Sequence, residues 1–219
     1  MAIGRAAAAG LGLLVAVLGL AAVEPMPVTP DVPGPGSPPP ENAAPADPPA
    51  GTLLIASAHI QDPRFYHAVI LLLRHDQGGA FGIVVNHVVA KQTIAGLLAA
   101  TGDQDNTVVG TISVLSGGPV QPQRGFLVHS ADYRIAATLA VDGKVAMTAS
   151  REALKDIGHH KGPRKYFFAF GYAGWGAGQL EAEIARKDWF TTPEDGALVF
   201  DDDRAKVWDE ALARRGRDL

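Results

Sequence analysis

The fold of this chain is decided by one stretch of sequence, Gly171-Tyr172-Ala173-Gly174-Trp175-Gly176-Ala177-Gly178-Gln179-Leu180-Glu181. An aromatic run of the kind found in buried strands, Tyr166 to Phe170, precedes it. Apolar residues at Leu180 and Ile184 follow at helical spacing. The sequence therefore predicts a strand, a glycine-rich turn and a helix in this order.

The predicted turn is a candidate site. Glycine lets another backbone or a ligand approach closely, and a tryptophan on so flexible a turn has to pack against something. Trp175 either folds back onto the core, with the glycines relieving crowding, or offers its ring to a ligand or a partner. The predicted binding residues of this stretch are Gly171, Tyr172, Gly174, Trp175, Gly176, Gly178 and Gln179.

Further motifs lie upstream of this stretch. They are Gly82 to Asn86, Gly117 to Gln121, Arg124 to His129 and Thr148 to Arg151. Together with the Gly171 stretch and in the same order, they resemble the bacterial YqgE/AlgH family over residues 51 to 219. The resemblance implies a single α/β (α+β) domain in which a bent mixed β-sheet forms a partial barrel with flanking helices. Members of that family have been called transcriptional regulators, but the family has no settled activity.

Three polar residues of these motifs are further site candidates. Arg124 can pair with a carboxylate or with a ligand anion, and Asn86, at the end of an apolar strand, either forms a turn or belongs to a site. If Asn86, Arg124, His129 and Trp175 surround one deep pocket, ligand binding or catalysis is favoured. A flat, exposed apolar patch would instead favour a protein partner.

The N-terminal region adds an apolar segment and a linker to the domain. Residues 6 to 23 are apolar without a break, and these 18 residues would extend about 27 Å as a helix, nearly the thickness of a bilayer core. Residues 1–23 are therefore a membrane anchor or a cleaved signal peptide, and either would place the domain outside the cytoplasm. Translation from Met26 is the third alternative, and it would leave a cytoplasmic protein, as the family resemblance implies. The Pro- and Ala-rich residues 24–50 predict an extended, disordered linker.

The charge balance bears on the regulator hypothesis. The chain has 19 Lys and Arg residues against 23 Asp and Glu, which gives a net charge of −4. Nucleic-acid binding relies on clustered Lys and Arg, and the basic clusters of this chain are short. Nucleic acid is therefore a disfavoured partner, and a transcriptional regulator that contacts DNA is kept as an alternative.

No catalytic motif is present in the sequence. The seven histidines are scattered, cysteine is absent, and the glycine spacing of the Gly171 stretch matches neither the dinucleotide-binding motif nor the P-loop. Ser116, beside Gly117, is the least implausible nucleophile. No cofactor and no metal site are predicted, and an enzyme without a recognisable catalytic set is the remaining alternative. We therefore expect a regulatory domain that binds a small ligand or a protein partner.

Local signals predict several helix ends and one hairpin. Asp62 and Ser150 have the position of N-caps, and Asp142-Gly143 has the composition of a hairpin turn. The acidic run 201–203 favours the N-terminus of a last helix over a metal site, because the helix dipole stabilises negative charge there. Trp208 and Leu212 of that helix should face the core.

Overall fold

Ten strands form the sheet of this protein, whose computed structural model describes residues 47–215. The strands are β1 (Thr52–Ala56), β2 (Val69–Asp76), β3 (Gly79–Val84), β4 (Val88–Thr93), β5 (Thr111–Ser116), β6 (Val120–Ser130), β7 (Thr138–Ala140), β8 (Val145–Thr148), β9 (Tyr166–Gly176) and β10 (Trp189–Pro193). The α-helices are α1 (Ile94–Ala100), α2 (Arg151–Gly158), α3 (Gln179–Ala185), α4 (Gly196–Val199) and α5 (Val207–Arg214). A short 3-10 helix, Pro63–Phe65, lies between β1 and β2. The predicted N-terminal anchor or signal peptide lies outside the described residues.

The sheet is mostly antiparallel. Its main path follows the order β10-β1-β2-β3-β9-β6-β8-β7, and neighbours along this path run antiparallel. The antiparallel pair of β4 and β5 joins it through a parallel pairing of β5 with β9. The sheet curls into a half-barrel flanked by helices. The predicted α/β domain with a bent mixed sheet forming a partial barrel is confirmed.

Both faces of the central strands β1 and β2 are covered, which explains their continuous apolar runs. Alternate residues of a strand point to opposite faces, so Leu53 lies in one core cluster and Leu54 in another. Helix α5 covers the first cluster with Val207 and Ala211, and α3 covers the second with Leu180. Helices α1 and α2 pack over β5 in a third cluster.

The predicted position of the glycine-rich turn is wrong. Strand β9 runs from Tyr166 to Gly176, so residues 171–176 belong to the strand. Only Ala177 and Gly178 turn before α3 begins at Gln179. The strand continues because β3 pairs with residues 173–176. Pairing with a distant segment thus overrides the local preference of glycine for a turn.

The chain crosses over β9 at Gly171. Strand β5 pairs with residues 168–170, and β6 pairs with the same residues along the other edge. The connection between them therefore passes across the strand, and its Gly118 meets β9 backbone against backbone. A Cβ atom on Gly118 would lie 2.2 Å from the carbonyl carbon of Tyr172, and one on Gly171 would lie 2.3 Å from the carbonyl oxygen of Gly118. Glycine is required at both positions because no side chain fits between the two backbones.

The predicted helix caps at Asp62 and Ser150 are confirmed. The Asp62 carboxylate accepts a hydrogen bond from Arg64 N at 3.0 Å, and the Ser150 hydroxyl accepts one from Glu152 N at 3.2 Å. The predicted hairpin turn is also confirmed, since β7 and β8 pair antiparallel on either side of Asp142-Gly143. Short-range signals therefore predicted these ends correctly.

The predicted start of the last helix is wrong. Helix α5 begins at Val207, and Lys206 rather than an aspartate occupies the N-cap position. A turn precedes the helix, in which Lys206 N donates to Asp203 O at 3.1 Å and the Lys206 ammonium pairs with the Asp203 carboxylate. Trp208 and Leu212 pack against the core as predicted.

Candidate functional site

An open cleft of about 300 Å³ lies where β3 and β5 end beside the segment that crosses β9. These ends meet because Ser116 N donates to His87 O at 2.8 Å and Val84 N donates to Gly117 O at 2.9 Å. The predicted motif Gly117 to Gln121 thus supplies one wall of the cleft. The lining residues are Arg64, Val84, His87, Ser116, Gly118, Pro119 and Pro122.

Asn86, a predicted site residue, uses its side-chain amide to fix the backbone next to the cleft. Its Oδ1 accepts a hydrogen bond from Val69 N at 2.9 Å, and its Nδ2 donates to His67 O at 2.8 Å. His67 has a φ of 53°, in the left-handed region that residues other than glycine rarely adopt. Asn86 therefore holds His67, and with it the neighbouring Tyr66, in a defined conformation.

Exposed apolar side chains border the cleft. Tyr66, Val88 and Val89 are 60%, 49% and 62% exposed. The ring of His87 lies close enough to the backbone of Tyr66 to have its pKa raised by it, so these residues adjoin one another. We call Tyr66, His87, Val88 and Val89 the β4 surface.

The β4 surface includes a free strand edge. Among residues 47–215, β4 pairs only with β5, so the backbone groups along its other edge have no strand partner. The register between the two strands shifts between Val88 and Ala90, which leaves Val89 in a bulge. Bulges of this kind change the direction of a side chain and are common beside functional sites.

His87 and Ser116 are the groups of the cleft nearest to acid–base chemistry. Burial lowers the pKa of His87, the hydrogen bond to the Tyr66 backbone raises it, and His67 lowers it further, so that the pKa lies below its ordinary value. His87 is therefore neutral at pH 7. In the described part of the chain Ser116 bonds to residue 87 through its backbone N–H and not through its hydroxyl. The pair thus lacks the contact from hydroxyl to base that activates a serine nucleophile.

Arg124 lies on an outward loop of β6. Four residues, 121–124, stand opposite the single Gly171 of β9, and all four are exposed. The Arg124 guanidinium reaches Gln121 Oε1 at 3.4 Å and lies 5.5 Å from the centre of the Phe126 ring. Arg124 therefore faces solvent outside the cleft lining.

His129 is a buried polar residue of the core. Its Nε2 is 2.9 Å from Thr148 Oγ1, and its Nδ1 donates to Ser130 O at 3.0 Å. Burial lowers the pKa of His129, against the raising effects of Ser130 and Asp132. The imidazole is therefore neutral, with both nitrogens used inside the protein.

The Gly171 stretch ends in a hydrogen-bonded clamp. The indole N–H groups of Trp175 and Trp189 both donate to Glu183 Oε2 at 2.8 Å, and Gln179 Nε2 donates to Glu183 Oε1 at 2.9 Å. Gln179 Oε1 in turn accepts from Gly176 N at 3.1 Å. Trp175 is 7% exposed and meets Trp189 edge to face at 5.9 Å. The clamp locks α3 onto the ends of β9 and β10.

The predicted site residues do not surround one pocket. His129 pairs with Tyr166 at one end of β9, whereas Trp175 pairs with Ala80 near the other. Nine residues of strand, about 30 Å in length, separate these ends. The cleft instead recruits Arg64 and His87, which sequence reasoning missed because neither belongs to a recognisable motif.

A buried carboxylate outside the cleft makes stability depend on pH. The Glu194 side chain is 2% exposed, and neither carboxylate oxygen accepts a hydrogen bond. Lys144 Nζ lies 3.5 Å from Glu194 Oε2, close enough for an ion pair. Burial, aided by the neighbouring Asp142 and opposed by Lys144, raises its pKa to about 7. Between pH 4.5 and about pH 7, Glu194 is therefore protonated in the folded protein and ionised in the unfolded chain, where its pKa is near 4.5.

Replacing Glu194 with glutamine is expected to flatten this dependence. Wild-type stability should fall as the pH rises from about 4.5 to about 7, because the unfolded state binds fewer protons in that range. Between pH 5 and pH 8, the free energy of unfolding measured in urea should fall by about 2 kcal/mol more for the wild type than for Glu194→Gln. Glu152→Gln, at an exposed helix position, is the control and should behave as the wild type. Equal pH profiles for wild type and Glu194→Gln would contradict the expected burial.

Two kinds of feature are absent from residues 47–215. No group of three or more His, Cys, Asp or Glu residues there is arranged to hold a metal ion. No helix in this range is long and apolar enough to cross a membrane. The predicted apolar segment, residues 6 to 23, lies outside the range.

Comparison with known proteins gives one consistent family. The family model described as AlgH-like matches residues 53–219. A UPF0301 protein of Jannaschia sp. is 42% identical over 170 residues, which cover 77% of this chain and 88% of that protein. A UPF0301 protein of Cereibacter sphaeroides is 41% identical and covers 77% and 92%.

Solved structures agree with this result. The solution structure of the AlgH protein from Pseudomonas aeruginosa matches with a TM-score of 0.63 at 36% identity, over 74% of this chain and 88% of that one. A crystal structure from Corynebacterium diphtheriae, 21% identical, has the same fold with a TM-score of 0.61 over 78% and 90% of the two chains. The chain therefore belongs to the AlgH-like UPF0301 family, whose biochemical function is not established.

Proposed function

We propose that this domain is a regulatory binding module that docks an extended segment of a protein partner on the β4 surface. The observation that carries the proposal is the grouping of Tyr66, Val88 and Val89, all about half exposed or more, beside an open cleft. Exposed apolar groups gathered around a groove are typical of surfaces that bind another protein. A free strand edge next to them lets an extended segment add to the sheet as one more strand.

The two parts of the surface have different roles in this proposal. Backbone hydrogen bonds along β4 supply affinity, and the cleft receives a side chain and supplies selectivity. The bulge at Val89 and the exposed Lys91 interrupt the edge, as natural proteins do to prevent unspecific pairing of edges. The edge is therefore suited to a matching segment rather than to any strand.

Charge at the cleft favours a protein segment over an anionic ligand. Arg64 is the cation of the lining, and its guanidinium pairs with both carboxylate oxygens of Asp62. Arg64 Nε donates to Oδ1 at 2.9 Å and to Oδ2 at 3.1 Å, and Nη2 donates to Oδ2 at 2.6 Å. This pairing neutralises the charge that a phosphate would need. The net charge of −4 also disfavours a nucleic acid.

The test is a selection of peptides followed by one charged substitution. The full chain, held in a mild detergent, is used to select from a library of random peptides of about 12 residues, the length that an added strand and its flanks require. The selected peptides should bind the wild type, and Val89→Lys should weaken them at least about tenfold, because it places a charge in an apolar contact. Val109→Lys is the matched control, since Val109 is 54% exposed and lies outside the β4 surface.

Three outcomes would overturn the proposal. The first is that no peptide is enriched over an unrelated protein. The second is that the selected peptides bind Val89→Lys as well as they bind the wild type. The third is a small molecule that occupies the cleft in a thermal-shift screen while no peptide binds, which would identify a domain for small ligands.

We also propose that residues 6–23 attach the domain to a membrane or direct its export. The support is their apolar composition after Arg5 and the absence of further Lys or Arg before Arg64. The family model matches from residue 53, so this segment lies outside the matched region. Cell fractionation with sequencing of the mature N-terminus tests the proposal. A cytosolic chain that starts at Met26 would contradict it.

A further inference from the structure

Three aromatic rings are stacked beside the cleft. The rings of Trp208 and His67 are 3.9 Å apart and 11° from parallel, and those of His67 and Tyr66 are 4.0 Å apart and 17° from parallel. Trp208, at the inner end, packs against the core. Tyr66, at the outer end, is 60% exposed. The stack therefore begins at the core and ends in solvent.

Several contacts hold the stack in place. Trp208 Nε1 donates to Ala56 O at 2.8 Å, which ties the inner ring to β1. Tyr66 N donates to Pro63 O at 3.3 Å in the short helix before it. Asn86 donates to His67 O and accepts from Val69 N, which fixes the backbone directly after His67, whose positive φ costs free energy. The platform under Tyr66 is thus fixed before any partner binds.

This arrangement leaves the outer face of the Tyr66 ring turned away from the stack, at the exposed end. Parallel rings attract each other through dispersion and through burial of their faces, and a ring on a fixed platform loses little entropy when another ring covers it. Exposed tyrosine on a rigid support is a common anchor in binding surfaces for this reason. Arg64, two residues before Tyr66, lines the cleft, and His87 of the lining lies beside the Tyr66 backbone, so the exposed ring stands near the cleft.

We propose that the outer face of Tyr66 receives one aromatic side chain of the docked segment, which becomes the fourth ring of the stack. The inference rests on the proposed function, since it names the chemistry of the partner segment at that surface. Asn86 is a positioning residue here. It touches no part of the partner and acts through the backbone of His67.

The test uses isolated side-chain analogues as probes. N-acetyl-tryptophanamide is titrated into the full chain, with N-acetyl-leucinamide and N-acetyl-argininamide as comparison probes, and the Tyr66 ring resonances are followed by NMR. The tryptophan analogue should produce saturable ring-current shifts at Tyr66, and the leucine analogue should not. Tyr66→Phe should retain the response of the ring. Tyr66→Leu, for which the resonances of the tryptophan analogue are followed instead, should abolish binding of the analogue and weaken aromatic peptides from the selection about 3- to 10-fold.

Asn86→Ala gives a second readout of the platform. It should weaken the tryptophan analogue while the leucine analogue stays without effect, and thermal unfolding of the same sample reports how much of the protein remains folded. Equal binding of all analogues, a response to the arginine analogue alone, or no shift at Tyr66 would overturn the inference. Selected peptides that depend on Val89 but not on Tyr66 would overturn it while leaving the proposed function in place. Binding of the tryptophan analogue without any selected peptide would overturn the proposed function, and with it the assignment of the fourth ring to a docked segment.

Discussion

Replacing Gly118 with alanine is expected to destabilise the domain by more than about 4 kcal/mol, a large part of the roughly 5–15 kcal/mol typical of a folded protein. The new Cβ atom would lie 2.2 Å from the carbonyl carbon of Tyr172 and 2.4 Å from Ala173 N. Both are backbone atoms of β9, so the clash cannot be relieved by turning a side chain. The residue also has a φ of 147°, which alanine rarely adopts. We expect the midpoint of thermal unfolding to fall by about 10 °C or more.

Alanine substitutions at two other glycines distinguish the effect of the steric clash from the effect of backbone strain. Gly178 has a φ of 74°, and a Cβ atom added there would have no neighbour within 4 Å, so Gly178→Ala should cost only about 1 kcal/mol of backbone strain. Gly143 has open space and no positive φ, and Gly143→Ala should be near neutral. If Gly118→Ala costs no more than Gly178→Ala, the two backbones do not meet closely where the chain crosses β9.

Replacing Trp175 with alanine is expected to cost about 3–5 kcal/mol of stability, as for other large aromatic residues removed from a core. The indole is 7% exposed, packs against Trp189 and donates to Glu183. Trp175→Phe retains a ring and loses the hydrogen bond, so its cost should be about 1–2 kcal/mol. Urea unfolding of the three proteins measures both effects.

Peptide binding by the same variants separates structure from function. Trp175→Phe, which should remain folded, is expected to bind the selected peptides as the wild type does, because Trp175 lies away from the β4 surface. A variant that keeps its stability and loses peptide binding would make the Gly171 stretch a binding site. If the Trp175 variants lose stability and still bind the peptides, the role of this stretch is structural, as part of the clamp that fixes α3.

Short-range signals predicted much of the fold. The caps at Asp62 and Ser150 and the hairpin turn at Asp142-Gly143 depend on a few neighbouring residues, and the structure has them where the sequence indicates. The resemblance to a known family supplied the curled sheet, which no local pattern contains. The structure confirmed that architecture.

Long-range pairing explains what local reasoning missed. The residues of β4 are mostly exposed, so Val88–Thr93 lacks the alternation that marks a half-buried strand, and only its pairing with β5 makes it one. Residues 171–176 contain three glycines and still form a strand, because β3 and the crossing segment supply the partners. Glycine in this stretch indicated a close approach correctly, but the approaching group is the chain's own backbone.

The candidate site is the least predictable part. Arg64, His87 and Ser116 line one cleft although they are far apart in the chain, and no motif connects them. Asn86 was a predicted site residue, and the structure gives it a supporting contact to His67 rather than a place in the cleft lining. Stacking of Tyr66, His67 and Trp208 also depends on the meeting of α5 with the segment before β2, which is a tertiary contact.

Hydrogen exchange of the full chain with and without a selected peptide tests the proposed docking on β4 most directly, since it reports which backbone amides the partner covers. We expect protection of residues 88–93, where the added strand would bond, and of residues 64–67 around Tyr66. Residues 171–179 should exchange at the same rate in both samples. Protection confined to residues 171–179, with β4 unchanged, would contradict docking on β4 and return the binding site to the glycine-rich stretch.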